Sequence, residues 1–169
     1  MGVIINTLEG DVFRYGVQLQ FPATNNEAEY EAIVTGLRVE KALGTKNLFL
    51  QSDSKLVIRQ RKGEYEAKED KMQKYLRLTN HQTQKFDQVD FTQVPRNQNL
   101  EADEVARQAS SGEGTMLPDL KMEVQKHPNI EEFHTLAIQY QNSWTTPILS
   151  FLRDGRLLAD IDEAKKVRK

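Results

Sequence analysis

Phe49-Leu50-Gln51-Ser52-Asp53-Ser54 reads as an apolar strand that runs straight into an acid and a helix cap. The apolar run Leu48-Phe49-Leu50 predicts a short strand over 47–51, and Ser54 opens a short helix to about Gln60, broken by Gly63. In α/β sheets the carboxyl end of such a strand is where ligands bind. Asp53 sits at that end. The same acid could serve as an ordinary helix N-cap, since Ser52, Asp53 and Ser54 all suit that position.

On the amino-terminal side, Thr24-Asn25-Asn26-Glu27 has capping-box spacing, so a helix is expected to start there and to end at Gly44. Ile33, Leu37 and the stretch from Val39 to Leu43 supply its apolar stripe. Glu29 lies four residues before Ile33 and eight before Leu37, roughly on the same face. An unpaired glutamate is rarely buried, so Glu29 is either a functional acid or a first-turn acid that favours the helix dipole. Before this helix, Val3 to Gln20 reads as a β-hairpin, with turn chemistry at Leu8-Glu9-Gly10-Asp11 and Pro22 closing it.

On the carboxyl side, a longer helix is expected from about Glu69 to Phe86, with Met72, Tyr75, Leu76, Thr79 and Thr83 at helical spacing. Val89 and Phe91 mark a last strand, stopped by Pro95. Ala102, Val105, Ala106 and Ala109 mark the buried side of a final helix, with Asp103 beside that face. Asp103 reads equally as a solvated acid between Glu101 and Glu104. The order β-β-α-β-α-α-β-α predicts an α/β sheet flanked by helices. A composition shift begins at Gly112-Glu113-Gly114. The expected division is a domain over 1–111, a linker over 112–128 and a helical connector or tether over 129–169, ending in the basic run Lys165-Lys166-Val167-Arg168-Lys169.

Composition narrows the function classes. The 169 residues are 38% hydrophobic and 28% charged, enough for one core in a soluble chain. No run of about 18 apolar residues exists, which excludes a transmembrane helix, and the amino terminus lacks a signal-peptide pattern. There is no cysteine, so disulfides, thiolate zinc sites and cysteine nucleophiles are excluded, and an intracellular home, cytoplasm or nucleus, is expected. His81, His127 and His134 are too scattered for a metal site. A net charge of −2 excludes coating nucleic acid by bulk electrostatics, so any such binding must use local contacts and bound metal. Three carboxylates meeting at one sheet edge would repel one another and call for hard divalent cations, magnesium or manganese.

Taken together, Thr24-Asn25-Asn26-x-x-Glu29, Ser52-Asp53-Ser54 and Asn99-x-x-Ala102-Asp103-x-x-Ala106 resemble the ribonuclease H superfamily over about Gly2 to Ser111. Phe21-Pro22-Ala23-Thr24-Asn25-Asn26-Glu27-Ala28-Glu29-Tyr30-Glu31-Ala32 and Gly63-Glu64-Tyr65-Glu66-Ala67-Lys68 look like the domain of plant Ty3/gypsy-type retrotransposon polyproteins. Trp144-Thr145-Thr146-Pro147-Ile148 through Lys166 looks like the connector toward integrase, and reverse transcriptase and integrase are the implied neighbours. The resemblance implies endonucleolytic hydrolysis of the RNA strand of an RNA–DNA hybrid by two magnesium ions, with manganese as substitute. Glu29, Asp53 and Asp103 are the implied catalytic metal ligands. Asn25 and Asn26 match positions that read the hybrid's minor groove, where the 2′-hydroxyl marks RNA; simple capping of the helix is compatible with that role. Asn99 is expected near the metals.

Three departures from the family pattern shape the expectation. An Asp-Gly-Ser-like strand normally precedes the Gly-Val-Ile strand and lies mid-sheet, between that strand and the one ending at Gln51; here it is missing, and Asp11 falls in a turn. The chain is therefore expected to be marginal as a monomer and its activity is in question. Lys55 stands where many relatives have glutamine. The loop Val94-Pro95-Arg96-Asn97-Gln98 has no histidine, which implies slower turnover. The alternatives are a non-catalytic remnant gripping nucleic acid through Asn25, Asn26, Arg96 and Arg107, or a structural fragment of a retroelement polyprotein.

Overall fold

A computed structural model describes residues 1–111, 117 and 119–131. The hairpin is β1 (Gly2–Asn6) and β2 (Val12–Leu19), antiparallel with Gly2 opposite Gly16. Helix α1 (Asn25–Ala42) follows, then β3 (Asn47–Ser52), α2 (Lys55–Arg61), α3 (Asp70–Thr83), β4 (Gln88–Gln93), a single 3-10 turn at Arg96–Gln98, α4 (Leu100–Ser111) and β5 (Leu120–Gln125). Each element up to α4 is where the sequence pattern places it; α3 stops three residues short of Phe86.

The strands form two sheets. One has the order β1-β2-β5 and the other pairs β3 with β4 in parallel. Among the described residues no strand joins β1 to β3, so each sheet ends in an unpaired edge. Helices connect the halves. Tyr30, Val34 and Leu37 of α1 are fully buried together with Val57 of α2 and Tyr75 and Leu78 of α3, forming one core against the inner face of β3 and β4. The Tyr30 and Tyr75 rings stack with centroids 5.5 Å apart.

Helix α4 covers the other sheet, and glycine makes that possible. A Cβ on Gly2 would lie 2.7 Å from the Ala106 backbone nitrogen, and one on Gly16 would lie 3.3 Å from the Ala109 Cβ. The two glycines face each other across the hairpin, opening a flat seat for the small-residue face of α4. Val105 and Ala109 are buried there, as the spacing predicts, while Ala102 and Ala106 are half-buried.

The stretch expected to be linker contains β5. It pairs in parallel with β2, from Leu120 opposite Arg14 to Gln125 opposite Leu19. Leu120-Lys121-Met122-Glu123-Val124-Gln125 alternates apolar and polar residues, but Met122 and Val124 are exposed while Glu123 and Gln125 are half-buried, so the period does not mark the buried face in the usual way. The chain beyond β5 is also held, because Ile130 joins the main core. The rest of the expected connector, from residue 132, lies outside the described residues.

What fastens this segment is Glu31, fully buried on α1. Its carboxylate accepts from the Tyr75 hydroxyl at 2.6 Å, the Asn129 backbone N–H at 2.8 Å, the Gln125 side-chain amide at 2.9 Å and the Asn129 side-chain amide. A buried carboxylate is tolerated only when its lone pairs are met in this way. Glu31→Ala is expected to lose about 3 kcal/mol or more in urea denaturation, since several buried donors lose one acceptor, and to speed hydrogen exchange over 120–130. Gly2→Ala is expected to cost about 1–3 kcal/mol through overpacking against a helix backbone that has no room to yield; denaturation midpoints measure both.

Candidate active site

Two local caps free the polar groups beside them. Thr24, not either asparagine, caps α1: its hydroxyl accepts from the Glu27 N–H while the Glu27 carboxylate accepts from the Thr24 N–H. Asn25 and Asn26 are exposed, and among the described residues neither side chain has a hydrogen-bond partner. Glu29 falls two residues, about half a turn, beyond the capping acid. Similarly Ser54, not Asp53, caps α2 by accepting from the Val57 N–H. The Asp53 carboxylate is thus free to face the end of the sheet.

The three acids come from three elements. Glu29 is half-buried on α1, Asp53 follows β3, and Asp103 sits in the first turn of α4. Ser52 is buried at the end of β3 and its hydroxyl donates to Glu29 Oε2 at 3.4 Å. Asn99 donates its side-chain amide to Asp53 Oδ1 at 3.2 Å, which brings the loop before α4 onto the end of β3. Arg96 donates to Asp103 Oδ2 at 3.4 Å; its side chain is 82% exposed, so this pair is worth little by itself.

Electrostatics ties the three together. Burial pushes the Glu29 carboxyl above its ordinary range, and the Asp53 and Asp103 charges push it further; the Ser52 hydroxyl and the amino-terminal ammonium oppose them. Repulsion among oxygen donors at the end of a strand is the state that a hard divalent cation relieves. The donor chemistry therefore fits magnesium or manganese. The geometry is looser than the chemistry: among the described residues, no three acidic or histidine side chains are grouped to hold a metal ion.

Sequence reasoning placed Asn99 near the acids, and the structure gives it Asp53 as partner. It missed the Ser52–Glu29 link, although the hydroxyl preceding Asp53 was in plain view, and the Arg96–Asp103 pair, whose seven-residue separation crosses a 3-10 turn that periodicity does not reveal.

Because the native Glu29 carboxyl holds its proton more tightly than an unfolded glutamate, ordinarily near pH 4.3, the group adds no penalty below that value. Its contribution to stability falls as pH climbs through the raised native value. Carboxyl-carbon NMR titration is expected to show Glu29 ionising above the normal range, and Asp53→Asn is expected to lower it. An unchanged Glu29 curve in that variant would separate the two acids.

Residues 1–109 match the family described as reverse transcriptase-like. A ribonuclease HI of Halobacterium salinarum is 28% identical over 109 residues, 64% of this chain and 55% of the relative. A bifunctional protein of Mycobacterium tuberculosis is 33% identical over 87 residues, 52% of this chain and 24% of the relative. The chain thus spans about half, or less, of the length of these relatives. The crystal structure of ribonuclease H1 from Halobacterium salinarum superposes with a TM-score of 0.58 at 27% identity, covering 64% of this chain and 82% of that one. The amino-terminal ribonuclease H domain of the mycobacterial protein gives 0.61 at 29%, covering 65% and 85%. With a family match over well more than half of its length, and helices flanking mixed strands as in these structures, the chain belongs to the reverse transcriptase-like family and carries a ribonuclease H-like domain.

Proposed function

We propose that the domain binds RNA–DNA hybrids and hydrolyses the RNA strand, with Glu29, Asp53 and Asp103 holding two magnesium ions that manganese can replace. The observation that carries this reading is that Ser52 and Asn99 hold Glu29 and Asp53 at the carboxyl end of β3, with Asp103 in the first turn of the helix that follows Asn99. The relatives named ribonuclease H support it.

Each residue has work suited to its place. Asn25 and Asn26, exposed and unpartnered, offer donors and acceptors to the 2′-hydroxyls and base edges of the minor groove. Ser52 orients Glu29, and Asn99 orients Asp53. Asp103 would hold a bound cation in place of the Arg96 guanidinium, and Arg96 would then be available to a backbone phosphate. Bound ions would supply the positive charge that acidifies a water and stabilises the departing 3′ oxygen. Glu29 would have to be deprotonated to join such a site, so metal binding would compete with its proton and weaken as pH falls.

The motifs over 21–32 and 63–68 and the connector-like sequence from Trp144 support an origin in a plant Ty3/gypsy-type polyprotein, between reverse transcriptase and integrase. A second reading, hybrid binding without cleavage, is favoured by the loose grouping of the acids. Among the described residues no helix is long and apolar enough to cross a membrane.

Magnesium-dependent cleavage of a labelled hybrid tests the two readings. Wild type is expected to cut the RNA strand, and Asp53→Asn to lose about two orders of magnitude in rate, the scale of removing one group that steadies developing charge. Binding without cleavage by either protein would select the second reading. Equal cleavage by both would remove the site.

A further inference from the structure

Helix α4 rests on the β1–β2 sheet through its smallest residues. Ala102, Ala106 and Ala109 lie over Gly2 and Gly16, and a Cβ on Gly2 would collide with the Ala102 carbonyl. Such a seat allows close approach. It has few projecting side chains to fix how far the helix is rolled about its axis, and Val105 is the one branched residue of α4 buried in it. The roll matters because it decides where Asp103, in the first turn, points.

A polar clamp supplies the missing constraint. Arg14 stands two residues before Gly16 on β2, hence on the same face of the sheet, and reaches the first turn of α4. Its Nε donates to Glu101 Oε1 at 2.8 Å, and its Nη2 lies 2.6 Å from the same oxygen. The Arg14 side chain is only 19% exposed, so this pair is better shielded from solvent than Arg96 with Asp103. Glu101 and Asp103 are two residues apart, about 200° around the helix and about 3 Å along it. Holding Glu101 toward β2 therefore turns Asp103 to the other side of α4, where Arg96 meets it. Asn99 ties the same turn to Asp53 at the end of β3, and its carbonyl accepts from the Asp103 N–H at 3.1 Å. With no strand pair joining β1 to β3 among the described residues, the start of α4 is anchored on one sheet by Arg14 and on the other by Asn99.

We propose that Arg14 is a positioning residue for the acid site: through Glu101 it sets the roll of α4, and so the direction of Asp103 relative to Glu29 and Asp53. Arg14 touches neither metal nor substrate in this role. Groups that orient metal ligands from outside the coordination shell commonly carry a tenfold or greater effect on metal affinity. The placement of α4 by Arg14 needs no ligand; its effect on metal binding rests on the hybrid-cleavage reading.

Two measurements on the full chain test this. The chain has no cysteine, so spin labels attach only at introduced ones: Gln51→Cys on β3 and Ser110→Cys on α4, both exposed positions. Electron–electron distance measurement is expected to give one narrow distribution in the labelled parent and a broadened or shifted one when Arg14→Gln or Glu101→Gln is added. Arg14→Glu combined with Glu101→Arg is expected to restore the parent distribution. Calorimetric titration of the unlabelled chain with magnesium is expected to show about tenfold weaker binding in each single variant, recovered in the exchanged pair. The urea midpoint is expected to move little, as for a partly exposed ion pair. An unchanged distance distribution in both single variants would overturn the positioning role whatever the metal does. Single variants that bind magnesium as tightly as the parent would overturn it equally, leaving an ordinary surface bridge. If the parent binds no magnesium, the hybrid-cleavage reading fails and the distance distributions alone decide the role of Arg14.

Discussion

Three consecutive residues of α1 hold the molecule together by facing three ways. Successive helix positions point about 100° apart, so Glu29, Tyr30 and Glu31 meet different neighbours. Glu29 meets Ser52 at the end of β3. Tyr30 stacks on Tyr75 and donates its hydroxyl to Gln60 at 2.8 Å, joining α1 to α2 and α3. Glu31 gathers Tyr75, Gln125 and Asn129. The two sheets share no hydrogen-bonded strand pair among the described residues, so the ladder that normally makes a sheet cooperative does not cross the middle of this fold. Side-chain packing around α1 takes over that task, and the position of the acids depends on it directly.

Much of this was legible in the residues, for identifiable reasons. The Thr24–Glu27 capping box fixed the start of α1 because its two hydrogen bonds are local and their spacing is invariant. The strand ending at Ser52 could be read because a short apolar run flanked by polar residues has few alternatives. The buried face of α4 followed from Ala102, Val105, Ala106 and Ala109. What could not be read is non-local. Nothing in the spacing of Glu31 marks it as the buried hub, because its partners lie 44 and about 95 positions away. β5 is hidden for a different reason: Lys121, Glu123 and Gln125 give it the composition of a linker, and its apolar Met122 and Val124 are exposed rather than buried.

The acids teach a similar lesson about site prediction. Each had an ordinary explanation when taken alone. For Asp53 the ordinary explanation fails, since Ser54 makes the cap. For Glu29 it fails because Glu27 is the first-turn acid. For Asp103 it survives, because this residue does lie in the first turn of α4, where negative charge is favoured. The two explanations need not compete there: a helix start that welcomes a carboxylate also fixes where that carboxylate points.

Net charge and binding chemistry are reconciled by distribution. A chain at −2 is repelled on average by a polyanion. Near the acids the charge is locally negative, and the Asp53 and Asp103 charges add to burial in raising the Glu29 carboxyl. Arg96 illustrates the alternative. A guanidinium can neutralise Asp103, but it is large, it saturates one carboxylate at a time, and it cannot bridge Glu29, Asp53 and Asp103 at once. A dication can. Among the described residues each acid has its own partner: Ser52 for Glu29, Asn99 for Asp53 and Arg96 for Asp103. Of those partners Ser52 is buried, whereas Arg96 is exposed and its pair with Asp103 is worth little by itself.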